Sequence, residues 1–88
     1  MTWAFKITDD CKKQFKKLDK PIQKRILSYF HQKVLKHPRP LQLAKPLKGP
    51  FAPYHRYRIG DHRMIVDIQQ SELVIIGIHV SHRKNIYS

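Results

Sequence analysis

Apolar and polar residues alternate at the start of the chain. Trp3, Phe5 and Ile7 are separated by Ala4 and Lys6, and this alternation predicts a short first strand. Successive side chains on a strand point to opposite faces of a sheet, so the three large residues would face a core together.

Two amphipathic helices are predicted next, joined by very few residues. Cys11, Phe15 and Leu18 recur at helical spacing in the first helix. The second helix begins after Asp19, carries an apolar residue at every fourth position, and ends near His37. So short a connection predicts an antiparallel helical hairpin.

A proline-rich segment, residues 38–53, is predicted to be a connecting loop, because proline interrupts a helix. Three strands follow at Tyr54–Ile59, His62–Gln69 and Glu72–Val80. The last is almost continuously apolar, which is typical of a central strand. We therefore predict an α+β fold: a small antiparallel β-sheet with an N-terminal α-helical hairpin packed on it, in the order β-α-α-β-β-β. One domain would span residues 1–88.

The composition is strongly basic. Eighteen Lys and Arg residues stand against six acidic residues, giving a formal net charge of +12. Such a charge favours a nucleic acid or an acidic protein as partner, although an ordinary basic surface is the simpler alternative. The single cysteine excludes an internal disulfide. No apolar run approaches the roughly 20 residues of a membrane span, and we expect a cytoplasmic protein.

Arginines cluster around a predicted hairpin. Arg56 and Arg58 would share one strand face, and Arg63 follows the Gly60-Asp61 turn. Arg83 and Tyr87 near the C-terminus are expected to join the same surface. Packing in a core gives no reason to place several cations together, whereas a phosphodiester does. The pattern therefore predicts an RNA-binding surface.

Cleavage of RNA needs no metal when the 2′-hydroxyl is the nucleophile. Arginine can stabilise charge on the phosphoryl oxygens, but it is a poor proton donor or acceptor. Tyr87 is the first candidate for the base, because neighbouring cations favour a phenolate. His82 is the alternative for proton transfer, and His55 and His62 are weaker candidates. The histidines lack the spacing of metal ligands, so we expect no metal and no cofactor.

Each of these residues also has a simpler interpretation. Tyr87 can be an anchor that packs on a helix, and Arg63 can form a surface ion pair. Arg83 and Lys84 can belong to an ordinary charged tail. The lysines on the outer faces of the two helices are either a solvated surface or a second contact to nucleic acid.

Three motifs together resemble the RelE/ParE toxin superfamily, and most closely its RelE branch. They are the Leu47-Lys48-Gly49 loop, the Tyr-x-Arg-x-Arg-x-Gly-Asp-x-Arg hairpin of residues 54–63, and the ending of residues 80–87. The resemblance covers essentially the whole chain. It implies a toxin of a type II toxin–antitoxin system with the fold predicted above.

The resemblance also implies an activity. RelE proteins enter the ribosomal A site and cut mRNA there by 2′-hydroxyl attack without a metal. They are silenced by a cognate antitoxin that covers the active surface. By position, Arg56, Arg58 and Arg63 would stabilise the phosphate. Arg83 would be the acid for the leaving group, and Tyr87 would be the base.

Further RNA contacts are expected outside this catalytic set. Lys48 matches a loop cation that contacts ribosomal RNA, and Lys84 and His55 are additional candidates. Two other functions stay open. One is a ParE-like inhibitor of DNA gyrase without nuclease activity, and the other is a non-catalytic RNA-binding module.

Overall fold

The computed structural model of the protein describes residues 2–82 and confirms the predicted α+β class. Its main elements are β1 (Ala4–Ile7), α1 (Asp9–Lys16), α2 (Lys20–Ser28), β2 (Lys45–Pro46), β3 (His55–Ile59), β4 (His62–Gln69) and β5 (Val74–His82). No helix in this part of the chain is long and apolar enough to cross a membrane.

The five strands form one mixed sheet in the order β1-β5-β4-β3-β2. β1 runs parallel to β5, whereas the other neighbours are antiparallel. The prediction of an entirely antiparallel sheet is therefore wrong for β1. Alternation within a strand gives its faces but not its direction, which depends here on the long-range pairing of β1 with β5. β5 is an interior strand, as its apolar sequence predicted.

The helical segments follow the predicted pattern with one irregularity. The hydroxyl of Thr8 accepts a hydrogen bond from the Cys11 N–H at 3.1 Å and so caps α1. α2 continues directly into a π-helical segment, Tyr29–Val34. In that segment the Leu35 N–H donates to the Phe30 carbonyl at 2.8 Å. The wider π turn ends the helix close to the predicted position.

The core lies between the helices and one face of the sheet, here named the helix face. Phe5 stacks on Phe30 with ring centroids 4.0 Å apart, and Phe30 meets the Tyr57 ring edge to face at 5.1 Å. The buried members of this core are Cys11, Phe15, Ile26, Phe30, Val34, Tyr57, Ile59, Met64, Val66, Ile75 and Val80. Both helices are thus held by the sheet rather than by their own propensity.

The proline-rich segment is not only a loop. It contains β2, in which Lys45 lies opposite Arg56 and Pro46 lies opposite His55. Proline is compatible with an edge strand, because the N–H that it lacks is not needed on the outer side. The sheet therefore has one strand more than the sequence predicted.

Candidate active site on the arginine face

The register of the β3–β4 hairpin gathers three of the predicted arginines. Gly60 has a φ of +59°, as the first position of a tight two-residue turn requires. This turn sets Arg58 directly opposite Arg63, with Arg56 two residues earlier on β3. Residues opposite each other share a face, so all three lie on the side of the sheet away from the core. We call this the arginine face, defined by Arg56, Arg58, Arg63 and Ser81.

Buried neighbours hold this arrangement in place. Tyr57 is fully buried between the two arginines of β3, and its hydroxyl donates to the Pro40 carbonyl at 3.0 Å. Burial raises the pKa of the Tyr57 hydroxyl, which keeps it protonated as a donor. A slip of one residue would expose Tyr57 and bury Arg56 and Arg58, so packing fixes which face carries the charge.

The arginine face brings like charges together. Like charges directly opposite each other destabilise a sheet, and Arg58 and Arg63 form such a pair. On the other side of Arg63 lies Ser81, whose Oγ is buried and has no hydrogen-bond partner among the residues described. The described strands carry a single carboxylate, Asp67, and it accepts a hydrogen bond from Gln69 at 2.9 Å. The face is therefore suited to an anion.

Lys45 adds a cation that sequence reasoning missed. It is exposed on β2 and lies opposite Arg56, so it extends the arginine face toward the sheet edge. A two-residue strand inside a proline-rich segment leaves no periodic signal, and nothing in the sequence distinguished this lysine from its neighbours.

Gln14 was also missed, and it positions the end of β5. The pairing of β1 with β5 ends at Gly77. Beyond that point the Val80 N–H donates to Oε1 of Gln14 at 3.0 Å, and Nε2 of Gln14 lies 3.0 Å from Nδ1 of His79. Where β5 has no β1 partner, the side-chain amide of Gln14 therefore bonds to the backbone instead. It holds the part of β5 that carries Ser81.

His82 is not placed with the arginines. It lies opposite His62 on the helix face, with ring centroids 5.2 Å apart. Both rings line a cavity of about 220 Å³ together with Arg25 and Asp61. Because Ser81 is the residue that faces Arg63, its neighbour His82 points to the opposite side. The prediction that His82 transfers protons beside the arginines is therefore not met by the geometry.

The histidine pair has an electrostatic consequence of its own. Burial lowers the pKa of His62, and the nearby His82 and Arg25 lower it further, whereas Asp61 acts in the opposite direction. The lowered pKa favours the neutral form of His62 at the end of the sheet.

The other predicted contact residues lie apart from the arginine face or outside residues 2–82. His55 is on the helix face, and its Nδ1 is buried without a hydrogen-bond partner among residues 2–82. Lys48 is exposed in the loop after β2. Arg83, Lys84 and Tyr87 lie outside the described residues. In the described part of the chain, no group of three or more His, Cys, Asp or Glu residues is arranged to hold a metal ion.

Comparison with known proteins decides the family. The model of the ParE toxin family, described as the ParE toxin of the type II toxin–antitoxin system parDE, matches residues 5–87. The chain belongs to the ParE toxin family. This assignment confirms the predicted RelE/ParE toxin superfamily and a type II toxin. No curated protein sequence matches this toxin significantly.

Solved structures show that the toxin has the fold of RelE proteins. The RelBE2 toxin–antitoxin complex of Mycobacterium tuberculosis matches with a TM-score of 0.84 at 20% identity, over 97% of this chain and 95% of that one. The archaeal RelE–RelB complex of Pyrococcus horikoshii OT3 matches with a TM-score of 0.73 at 25% identity, over 98% and 100%. The RelB–RelE complex of Methanococcus jannaschii matches with a TM-score of 0.65 at 27% identity, over 93% and 94%. These structures agree with the predicted RelE-like branch.

Proposed function

We propose that this toxin is a ribosome-dependent endoribonuclease that cuts mRNA in the A site and so inhibits translation. The observation that carries the proposal is the register that sets Arg58 opposite Arg63, with Arg56 beside them. Placing these charges together costs stability in the free protein. A bound phosphate would offset that cost, because guanidinium groups bind phosphate oxygens through paired hydrogen bonds.

The proposed reaction is an in-line attack by the 2′-hydroxyl on the adjacent phosphorus. A 2′-oxygen–phosphorus bond forms as the bond to the 5′-oxygen breaks, which leaves a cyclic phosphate and a new 5′-hydroxyl. Negative charge grows on the phosphoryl oxygens, and Arg56, Arg58 and Arg63 would stabilise it. Their role is electrostatic, since an arginine keeps its proton at any physiological pH.

Proton transfer is proposed for residues beyond β5. Tyr87 would take the proton of the 2′-hydroxyl, with the arginines favouring its phenolate form. By resemblance to RelE proteins, Arg83 would lie at the leaving 5′-oxygen and stabilise its negative charge, and water would supply the proton of the new 5′-hydroxyl. With His82 on the helix face, Tyr87 is the better supported of the two candidate bases.

The proposed partners are the ribosome with its mRNA and a cognate antitoxin. The net charge of +12 suits both ribosomal RNA and an acidic protein. Similar RelE structures were solved as complexes with RelB, which supports a cognate antitoxin as a partner. We propose that this antitoxin covers the arginine face. Lys48 and Lys84 are proposed as further RNA contacts, whereas His55 lies on the helix face, opposite the arginines, and is not. The cytoplasm is the proposed compartment.

Primer extension on an mRNA translated in vitro tests the activity. We expect cuts within codons only when ribosomes are loaded on the message. Arg56→Gln and Arg63→Gln should each reduce cutting, whereas Lys6→Gln should not, because Lys6 is a strand cation paired with Ile76 and away from the three arginines. Unchanged translation and an uncut message at saturating toxin would contradict the proposal.

A second candidate function is inhibition of DNA gyrase. The match to the ParE toxin family favours it, because a ParE-like inhibitor of gyrase without nuclease activity was the alternative left open by the sequence. A supercoiling assay with purified gyrase distinguishes the two functions. Loss of supercoiling together with an uncut message would favour this candidate.

A further inference from the structure

A second basic surface adjoins the arginine face. A groove of about 520 Å³ lies between the β3–β4 hairpin and the helical residues of α2 and the π-helical segment that follows it. Three cations, Arg25, Lys33 and Arg58, line it together with the hydrogen-bonding side chains of Ser28 and Gln32. No carboxylate is among its described lining residues, so the charged side chains that line it are all cationic.

Arg25 is held against the hairpin turn. A Cβ at position 60 would lie 2.9 Å from Cζ of Arg25, so the guanidinium packs closely on Gly60 and would have to shift if another residue stood there. The same glycine has the positive φ that the turn requires. The guanidinium therefore lies between the helix and the hairpin, where it lines the groove.

Lys33 is the second positioned cation. Its Nζ lies 5.6 Å from the centroid of the Tyr29 ring, within range of a cation–π contact. Tyr29 is anchored in turn by its edge contacts with the rings of Phe30 and Tyr57, at 5.6 Å and 6.3 Å. The aromatic cluster of the core thus supports a cation at the protein surface.

Arg58 connects the groove with the arginine face. Its register puts it on the arginine face, and its exposed side chain also lines the groove. β2 pairs only with His55 and Arg56 in the described chain. At Arg58, therefore, only the edge of β3 separates the two surfaces.

We propose that the groove is a second phosphate-binding subsite for the RNA strand. The RNA backbone bound at the arginine face passes round the edge of β3 at Arg58, and a neighbouring phosphate binds between Arg25 and Lys33. This inference rests on the proposed ribonuclease function. An acidic protein segment would meet the same charges. The groove favours RNA because it is continuous with the arginine face and because most of its lining side chains carry hydrogen-bond donors, three of them cationic.

The test measures binding of a single-stranded RNA that is 2′-O-methylated throughout and therefore lacks the nucleophile. Fluorescence anisotropy is recorded over a range of salt concentrations. Relative to wild type, Arg25→Gln/Lys33→Gln should weaken binding by about tenfold near 0.1 M salt. The slope of log affinity against log salt should fall by about 0.7, the value for one lost phosphate contact on a single strand.

The matched control is Lys20→Gln/Lys24→Gln. It removes the same charge from exposed positions of α2 that do not line the groove. Both double variants should keep the circular dichroism spectrum of the wild type. If the two bind RNA equally well while Arg56→Gln, on the arginine face and outside the groove, still weakens binding, the groove proposal is overturned and the ribonuclease proposal is not.

Two other outcomes would also overturn the groove proposal. A groove variant with normal RNA binding but weakened binding of the cognate antitoxin would show a site for an acidic protein, and would overturn the inference. A wild-type protein that neither binds the RNA nor cuts mRNA on ribosomes would remove the proposed function and this subsite together.

Discussion

Arg58→Gln should make the toxin more stable and less active. The substitution removes one of two like charges that face each other across the β3–β4 hairpin. Cross-strand pairs of this kind change stability by about 0.2–1 kcal/mol. Arg58 is exposed, so solvent screening favours the lower part of that range, about 0.2–0.5 kcal/mol. For a domain of this size, that corresponds to a rise in Tm of about 1–4 °C.

Thermal unfolding at several salt concentrations provides the assay. The gain should be largest at low ionic strength and should nearly vanish at about 1 M salt, where the Debye length is about 3 Å. Lys6→Gln is the matched control, since it removes a cation from a strand without a like charge opposite it. Its Tm should move less than that of Arg58→Gln.

The same variant should lose activity in the ribosome-dependent cleavage assay. Removing one group that stabilises transition-state charge typically costs about 100-fold in rate. Arg58→Lys should recover part of the rate and lose the gain in Tm. If Arg58→Gln instead lowers the Tm, or raises it equally at all salt concentrations, the two arginines do not repel each other as argued.

Three further results are expected. Tyr57→Phe should lower the free energy of unfolding by about 1–3 kcal/mol in urea denaturation, because the Pro40 carbonyl loses its buried donor; an unchanged midpoint would contradict this. The pKa of His62 lies below its ordinary value of 6.5, so the unfolded state binds the extra proton first. The free energy of unfolding should therefore fall as the pH drops below about 6.5. The fall should be smaller in His62→Gln, and an equal fall in both proteins would show that His62 is not its cause. Burial raises the pKa of the Cys11 thiol to about 11, so iodoacetamide at pH 8 should modify it only after unfolding, and rapid labelling of the native protein would be inconsistent with this burial.

Local sequence patterns determined the elements and much of the candidate site. The alternation of residues 54–59 assigned Arg56 and Arg58 to one face and Tyr57 to the other, and the register confirms both assignments. Gly60 marked the turn because few other residues accept its positive φ. These features depend on neighbours within a few residues, so the sequence contains the information directly.

Tertiary structure alone decided how the elements meet. The parallel pairing of β1 with β5 and the short strand at Lys45 depend on contacts between distant parts of the chain. The same holds for His82, whose placement beside His62 follows from the β4–β5 register. Nothing in the sequence predicted that Arg25 packs on the turn at Gly60. Periodicity tells which side of an element a residue occupies, whereas the partner on that side is selected by packing of the whole core.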